Sequence, residues 1–160
     1  MALFQLGTDN PDGCVAPGLH REVISGVGAT RQLLPEESGA LCLFDVATGV
    51  VYTLPTPVTG MQFEFMVTVA VTSNAHKVIT KTPASQFIKG GIIMGDVTIA
   101  TSGDYFEADG TTHVAISAAG STTGGLLGER YVLTAISTTQ WAIHGVAHGA
   151  GTLATPFATP

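Results

Sequence analysis

His76, His113, His144 and His148 are the side chains best suited to metal chemistry, because a neutral imidazole is the commonest protein ligand for zinc and related ions. His144 and His148 stand four positions apart, a spacing that sets two ligands on one face of a helix. Gly145, Gly149 and Gly151 make a helix costly there, and no carboxylate is near in sequence. The four histidines are therefore expected to be polar side chains on strands and loops, with no metal site.

Asp104, Glu107 and Asp109, together with Asp9 and Asp12, are the acidic groupings that could hold a hard cation. Calcium loops alternate Asp or Asn around a central glycine, and neither grouping has that form. Solvated turn residues are the expectation. Glu64 or Glu107 facing Asp96 or Asp104 across a sheet would make a carboxylate pair for hydrolysis, but no spacing favours it. No serine occupies a G-x-S-x-G elbow, and the glycine-rich stretch from Gly120 to Gly128 lacks the lysine of a phosphate loop. Neither enzymatic activity nor a cofactor is expected.

Trp141, the single tryptophan, alternates with Ile143 and is read as core or interface; stacking on a sugar is the alternative. Cys14 and Cys42 carry no CxxC spacing. Two buried free thiols in a reducing cytoplasm are expected, with a disulfide as the alternative.

The surroundings of these groups are sparse in charge. Only 11% of the 160 residues are charged, the net charge is −6, and the six Lys and Arg are scattered. Nucleic-acid binding needs a basic stripe that the chain lacks. Neither a charged-then-apolar leader nor an apolar run of about 18 residues occurs, so a soluble protein, with no membrane association and no export by a leader, is expected. A surface poor in charge and rich in small residues usually meets other protein.

The length suits one domain. Val, Ile, Thr and Phe recur in short alternating runs, and the pattern predicts strands near 31–34, 40–46, 50–54, 62–70, 76–81, 87–93, 96–101, 104–108, 112–118, 129–137 and 140–145. Asp109-Gly110 predicts a type I′ hairpin turn. Pro35 to Gly39 is the one predicted helical turn. The expected fold is all-β: a single-domain antiparallel β-sandwich, jelly-roll-like, over residues 30–149. Residues 1–29, irregular and broken by glycine and proline, are expected to form an extended arm, and residues 150–160 an extended or disordered tail.

The stretches Leu33 to Leu41 (LLPEESGAL) and Val51 to Phe65 (VYTLPTPVTGMQFEF), followed by Gly128-Glu129-Arg130-Tyr131, Gln140-Trp141-Ala142-Ile143-His144-Gly145 and Thr155-Pro156-Phe157, resemble tailed-bacteriophage head decoration, or capsid cement, proteins. The resemblance covers residues 30–160. Thr138-Thr139-Gln140 stands where that family often has Asp-Gly before the tryptophan.

The resemblance implies a structural virion protein, made in the host cytoplasm, that docks on the outer capsid surface and bridges neighbouring major capsid protein subunits. It brings no catalytic residues. A homotrimer is expected, with a dimer as the alternative, because repeating one patch around an axis multiplies weak contacts. Phe4, Leu6, Val15, Leu19, Val23 and Ile24 in the arm, with Phe157 in the tail, are the expected contacts. A tail- or fibre-associated receptor- or glycan-binding module is the competing reading; it would expose Tyr52, Tyr105 or Trp141 in a groove.

Overall fold

In a strand, successive side chains point to opposite faces, so the alternation of apolar and polar residues decides which face each strand buries. The computed structural model describes residues 20–99 and 102–159. It contains β1 (Val23–Ile24), β2 (Thr30–Gln32), a 3₁₀ turn (Pro35–Glu37), β3 (Leu41–Phe44), β4 (Val51–Thr53), β5 (Gln62–Val67) and β6 (His76–Ile79). These are followed by β7 (Phe87–Asp96), β8 (Gly103–Asp109), β9 (Ala115–Ala118), β10 (Arg130–Ala135), β11 (Gln140–Gly149) and β12 (Phe157–Ala158). No helix among the described residues is long and apolar enough to cross a membrane.

The strands form two sheets, one of seven strands in the order β1-β3-β5-β10-β11-β7-β8 and one of five in the order β12-β9-β6-β4-β2. Their inner faces share one core, in which Phe44, Phe63, Phe65, Tyr131 and Trp141 of the larger sheet meet Tyr52, Val78 and Ile116 of the smaller. Phe44 packs edge-on against Tyr52 with ring centroids 5.3 Å apart, and the Tyr52 hydroxyl donates to the Leu43 carbonyl at 2.8 Å. The protein is a β-sandwich, as its sequence pattern predicts.

The pairing is mixed where an antiparallel sandwich is expected. β1, β3 and β5 run parallel, as do β2, β4 and β6, and so do β7 and β11. From β1 to β7 the chain changes sheet at every connection, so each strand returns to its own sheet only after crossing the core and back. Parallel neighbours need a long crossover. Here a strand of the opposite sheet serves as that crossover.

Three further differences have local causes, two of them in side-chain hydrogen bonds and one in backbone pairing. Asp109-Gly110 is no hairpin turn: β8 pairs with β7, while β9 pairs with β6 and β12 in the other sheet. The Asp109 carboxylate instead accepts the Thr111 and Thr112 N–H groups, each at 2.8 Å, and the Thr112 hydroxyl at 2.6 Å. These bonds hold its carboxyl well below the usual range and turn the chain from one sheet to the other. At 96–101 the expected strand is absent from the described part, because Asp96 accepts the Thr98 N–H and hydroxyl and so ends β7 in a turn.

The third difference concerns the ends. Within the expected arm, β1 is already a strand of the larger sheet, beside β3. Within the expected tail, Phe157 pairs with Ile116, and β12 forms an edge of the smaller sheet. Extended segments carrying apolar side chains next to open sheet edges gain ladder hydrogen bonds by joining them.

Candidate functional site

The outer face of the seven-stranded sheet is set by register. β10 pairs antiparallel with β5 and β11, β11 parallel with β7, and β7 antiparallel with β8. Trp141, Ile143, Tyr131, Leu133, Ile88 and Ile92 point into the core, so their sequence neighbours point outward. One outward row across the strands is Tyr105, Ile93, Val146, Arg130, Met66 and Leu43. The row beside it is Glu107, Gly91, His144, Val132, Glu64, Leu41 and Val23.

The first row is apolar apart from Arg130. Tyr105 is 62% exposed, Ile93 59% and Val146 50%, three large apolar side chains on adjacent strands. Isolated exposed apolar residues are ordinary, but a contiguous set on a flat face marks a contact surface. Gly91, Gly95 and Ala142 keep the face low around them, and a shallow groove runs past Ile93, Tyr105, His144 and Val146.

Charge flanks the row. Glu64 is buried on this face between two guanidinium groups, those of Arg21 and Arg130. A carboxylate withdrawn from water needs such partners. The Arg130 side chain is 60% exposed, so the cluster presents net positive charge outward. On the opposite margin, the edge strand β8 presents Glu107 and Asp109.

The sequence-predicted contact residues fall into three groups. Phe4, Leu6, Val15 and Leu19 lie outside the described residues. Val23 is on the outer face and exposed. Ile24 and Phe157 are each 6% exposed and pack in the core of their own chain, because the strands that carry them have joined the sheets. In the isolated chain these two have little surface to offer a partner.

Of the aromatics a sugar-binding groove would need, Tyr52 and Trp141 are fully buried, and Tyr105 is at the surface. Trp141 packs against Phe63 at a centroid distance of 6.1 Å. Glu64 and Glu107 belong to the outer face, whereas strand alternation puts Asp96 and Asp104 on the opposite face, with Met94, so neither glutamate faces either aspartate as a carboxylate pair would require. His76 is a core residue: its Nδ1 accepts the Val50 N–H, its Nε2 bonds the Val69 carbonyl, and its ring lies 4.6 Å from that of Phe44. His113 accepts the Asp109 N–H at Nδ1, while His144 and His148 lie on the outer face of β11. Among the described residues no three His, Cys, Asp or Glu side chains converge as a metal site would require. Cys42 is a buried free thiol whose pKa burial pushes up to about 12, and Cys14 lies outside the described residues.

Sequence reasoning missed Glu129. Its Oε1 accepts the N–H groups of Gly125, Leu126 and His148 at 2.7, 2.9 and 3.1 Å, which fastens the glycine-rich stretch to the end of β11. Burial raises its carboxyl above the ordinary range, opposed by those hydrogen bonds. In sequence it is only the first residue of the strand expected at 129–137, and nothing in Gly128-Glu129 marks a buried carboxylate. Comparison with protein-family models, with curated proteins and with solved structures gives no match.

Proposed function

We propose that the protein is a structural virion component that binds the outer surface of a bacteriophage capsid and stabilises the shell by bridging neighbouring major capsid protein subunits. The observation that carries this reading is the separation of its exposed apolar side chains into distinct regions. A bridging protein needs at least two contact surfaces, and as a homo-oligomer it divides them between the shell and a further copy of itself. One candidate is the row of Tyr105, Ile93 and Val146 on the larger sheet. The other comprises Val69, Val97, Ile99 and Leu127, all exposed on loops at the end of the sheet where β5 and β7 finish and β10 begins. The low charge of the chain and the resemblance of its Leu33–Leu41 and Val51–Phe65 stretches to decoration proteins support the same reading. Binding only the assembled shell would favour the assembled state by mass action.

The test is to mix the purified protein with expanded shells that lack it and to count bound copies per shell. Saturation at a fixed symmetric number is the expected result, and no binding would overturn the proposal. A tail- or fibre-associated glycan-binding module is the second reading, favoured by the exposed Tyr105 ring. A glycan array separates the two.

A further inference from the structure

We propose that the outer face of the seven-stranded sheet is where two copies of this chain pack, sheet on sheet, about a two-fold axis running along β11. The pairing deepens the proposed function by naming one partner of the apolar row, and it rests on that reading only in expecting a homo-oligomer. No shell takes part in it.

From Tyr105 to Met66 the row is centred on Val146 of β11. Ile93 and Tyr105 extend from Val146 on one side, and Arg130 and Met66 on the other. A two-fold axis parallel to the strands reverses the order of strands while keeping each row level. It would set Val146 against Val146 of the second copy, and Tyr105 and Ile93 against Met66 and the aliphatic stem of Arg130. In the neighbouring row it would set Glu107 against the Glu64 position, where Arg21 and Arg130 together outnumber the single carboxylate they hold. The acidic margin of each copy thus meets the basic cluster of the other, twice per pair, as an isologous interface requires.

Charge complementarity also fixes the choice of occupant. An apolar row alone would accept many partners, and an acidic one would be repelled at β8 by Glu107 and Asp109. A second copy brings both signs in the correct places. The span from β8 to β5 is four strand spacings, about 19 Å, which makes the contact a small one that dissociates readily.

The test uses the full chain, on the order of 100 µM, in analytical ultracentrifugation. The wild type is expected at twice the 16.4 kDa chain mass. Ile93→Lys, Glu107→Lys and Arg130→Glu should each weaken the dimer about tenfold or more, and mixing the last two should restore a heterodimer, because each supplies the charge the other lacks. Val146→Cys should be linked to its copy by a short bismaleimide, because facing sheets stand about 10 Å apart, beyond the reach of a disulfide, while Ile136→Cys, also exposed but on a loop, should not. Melting temperature and Trp141 emission identify any variant that fails to fold. A monomer, a trimer, or a dimer insensitive to Ile93→Lys and not cross-linked through Val146→Cys would overturn the pairing. So would a monomer whose Tyr105 becomes protected only on shells, a result that would give the face to the capsid and leave the proposed function standing.

Discussion

The ring of Tyr105 lies over Gly91: a β-carbon at Gly91 would overlap the Tyr105 hydroxyl oxygen and the ring carbon that bears it. The two residues are on adjacent antiparallel strands, with Gly91 opposite Glu107 and Tyr105 opposite Ile93, so the ring reaches diagonally across the face. An aromatic that covers a glycine restores the packing the glycine lacks.

Gly91→Ala should therefore turn the ring off the sheet. The expected cost is about 1 kcal/mol, typical of mild overpacking, or about 3 °C in melting temperature for a domain of this size. In a Tyr105→Ala background the same substitution should cost almost nothing. Equal costs in the two backgrounds would show that the ring and the glycine are not coupled.

Glu129 gives a pH signature. Its folded carboxyl titrates above the ordinary 4.5, so the folded chain holds a proton that the unfolded chain releases. Its contribution to stability is full below about pH 4.5 and is lost as pH rises through the folded value, at about 1.4 kcal/mol for each pH unit that separates the folded pKa from the unfolded one. Glu129→Gln removes that dependence. Urea unfolding of both proteins at about pH 4 and about pH 7.5 should show the variant gaining relative to the wild type at the higher pH.

His76 acts in the opposite sense. Burial lowers its pKa below 6.5, and the Val50 N–H already points at Nδ1, where a second proton would have to go. The ring is neutral with its proton on Nε2, donated to the Val69 carbonyl at 3.0 Å. Its contribution is present above pH 6.5 and is lost as pH falls through the folded value. Nitrogen NMR of the ring should find the neutral Nε2–H tautomer predominant at pH 6.5, where an ordinary imidazole is half protonated; a pKa at or above 6.5 would contradict this environment.

Phe157 tests where the domain ends. It is 6% exposed, and its strand is fixed by bonds from Val114 N–H to the Ala158 carbonyl at 2.9 Å and from Ser117 N–H to the Pro156 carbonyl at 2.7 Å. Phe157→Ala should cost about 3 kcal/mol, the low end for deleting a buried phenylalanine, since the strand is an edge. An unchanged urea midpoint would mean that residues 155–158 are a free tail.

The positions of most strands were legible because Val51 to Thr53, Gln62 to Val67 and Arg130 to Ala135 alternate or mass apolar residues between turn signals. Strand partners were not. Alternation reports which face is buried, but the same pattern serves a hairpin and a strand that crosses to the other sheet. Asp109-Gly110 illustrates the ambiguity: Gly110 has the positive φ of +78° that a hairpin turn would need, yet the carboxylate of Asp109 builds a different turn. Two-residue strands such as Val23–Ile24 and Phe157–Ala158 carry no period at all. The outer row was illegible for the same reason, since Tyr105, Ile93, Val146, Arg130 and Met66 line up only through register across five separate strands.

The most direct measurement of the central claim is the heat-induced rupture of expanded capsid shells, followed with and without this protein at saturating concentration. Rupture at a higher temperature, with the gain reaching a plateau at a fixed number of copies per shell, is the predicted result. An unchanged rupture temperature with the shells fully occupied would contradict a stabilising role.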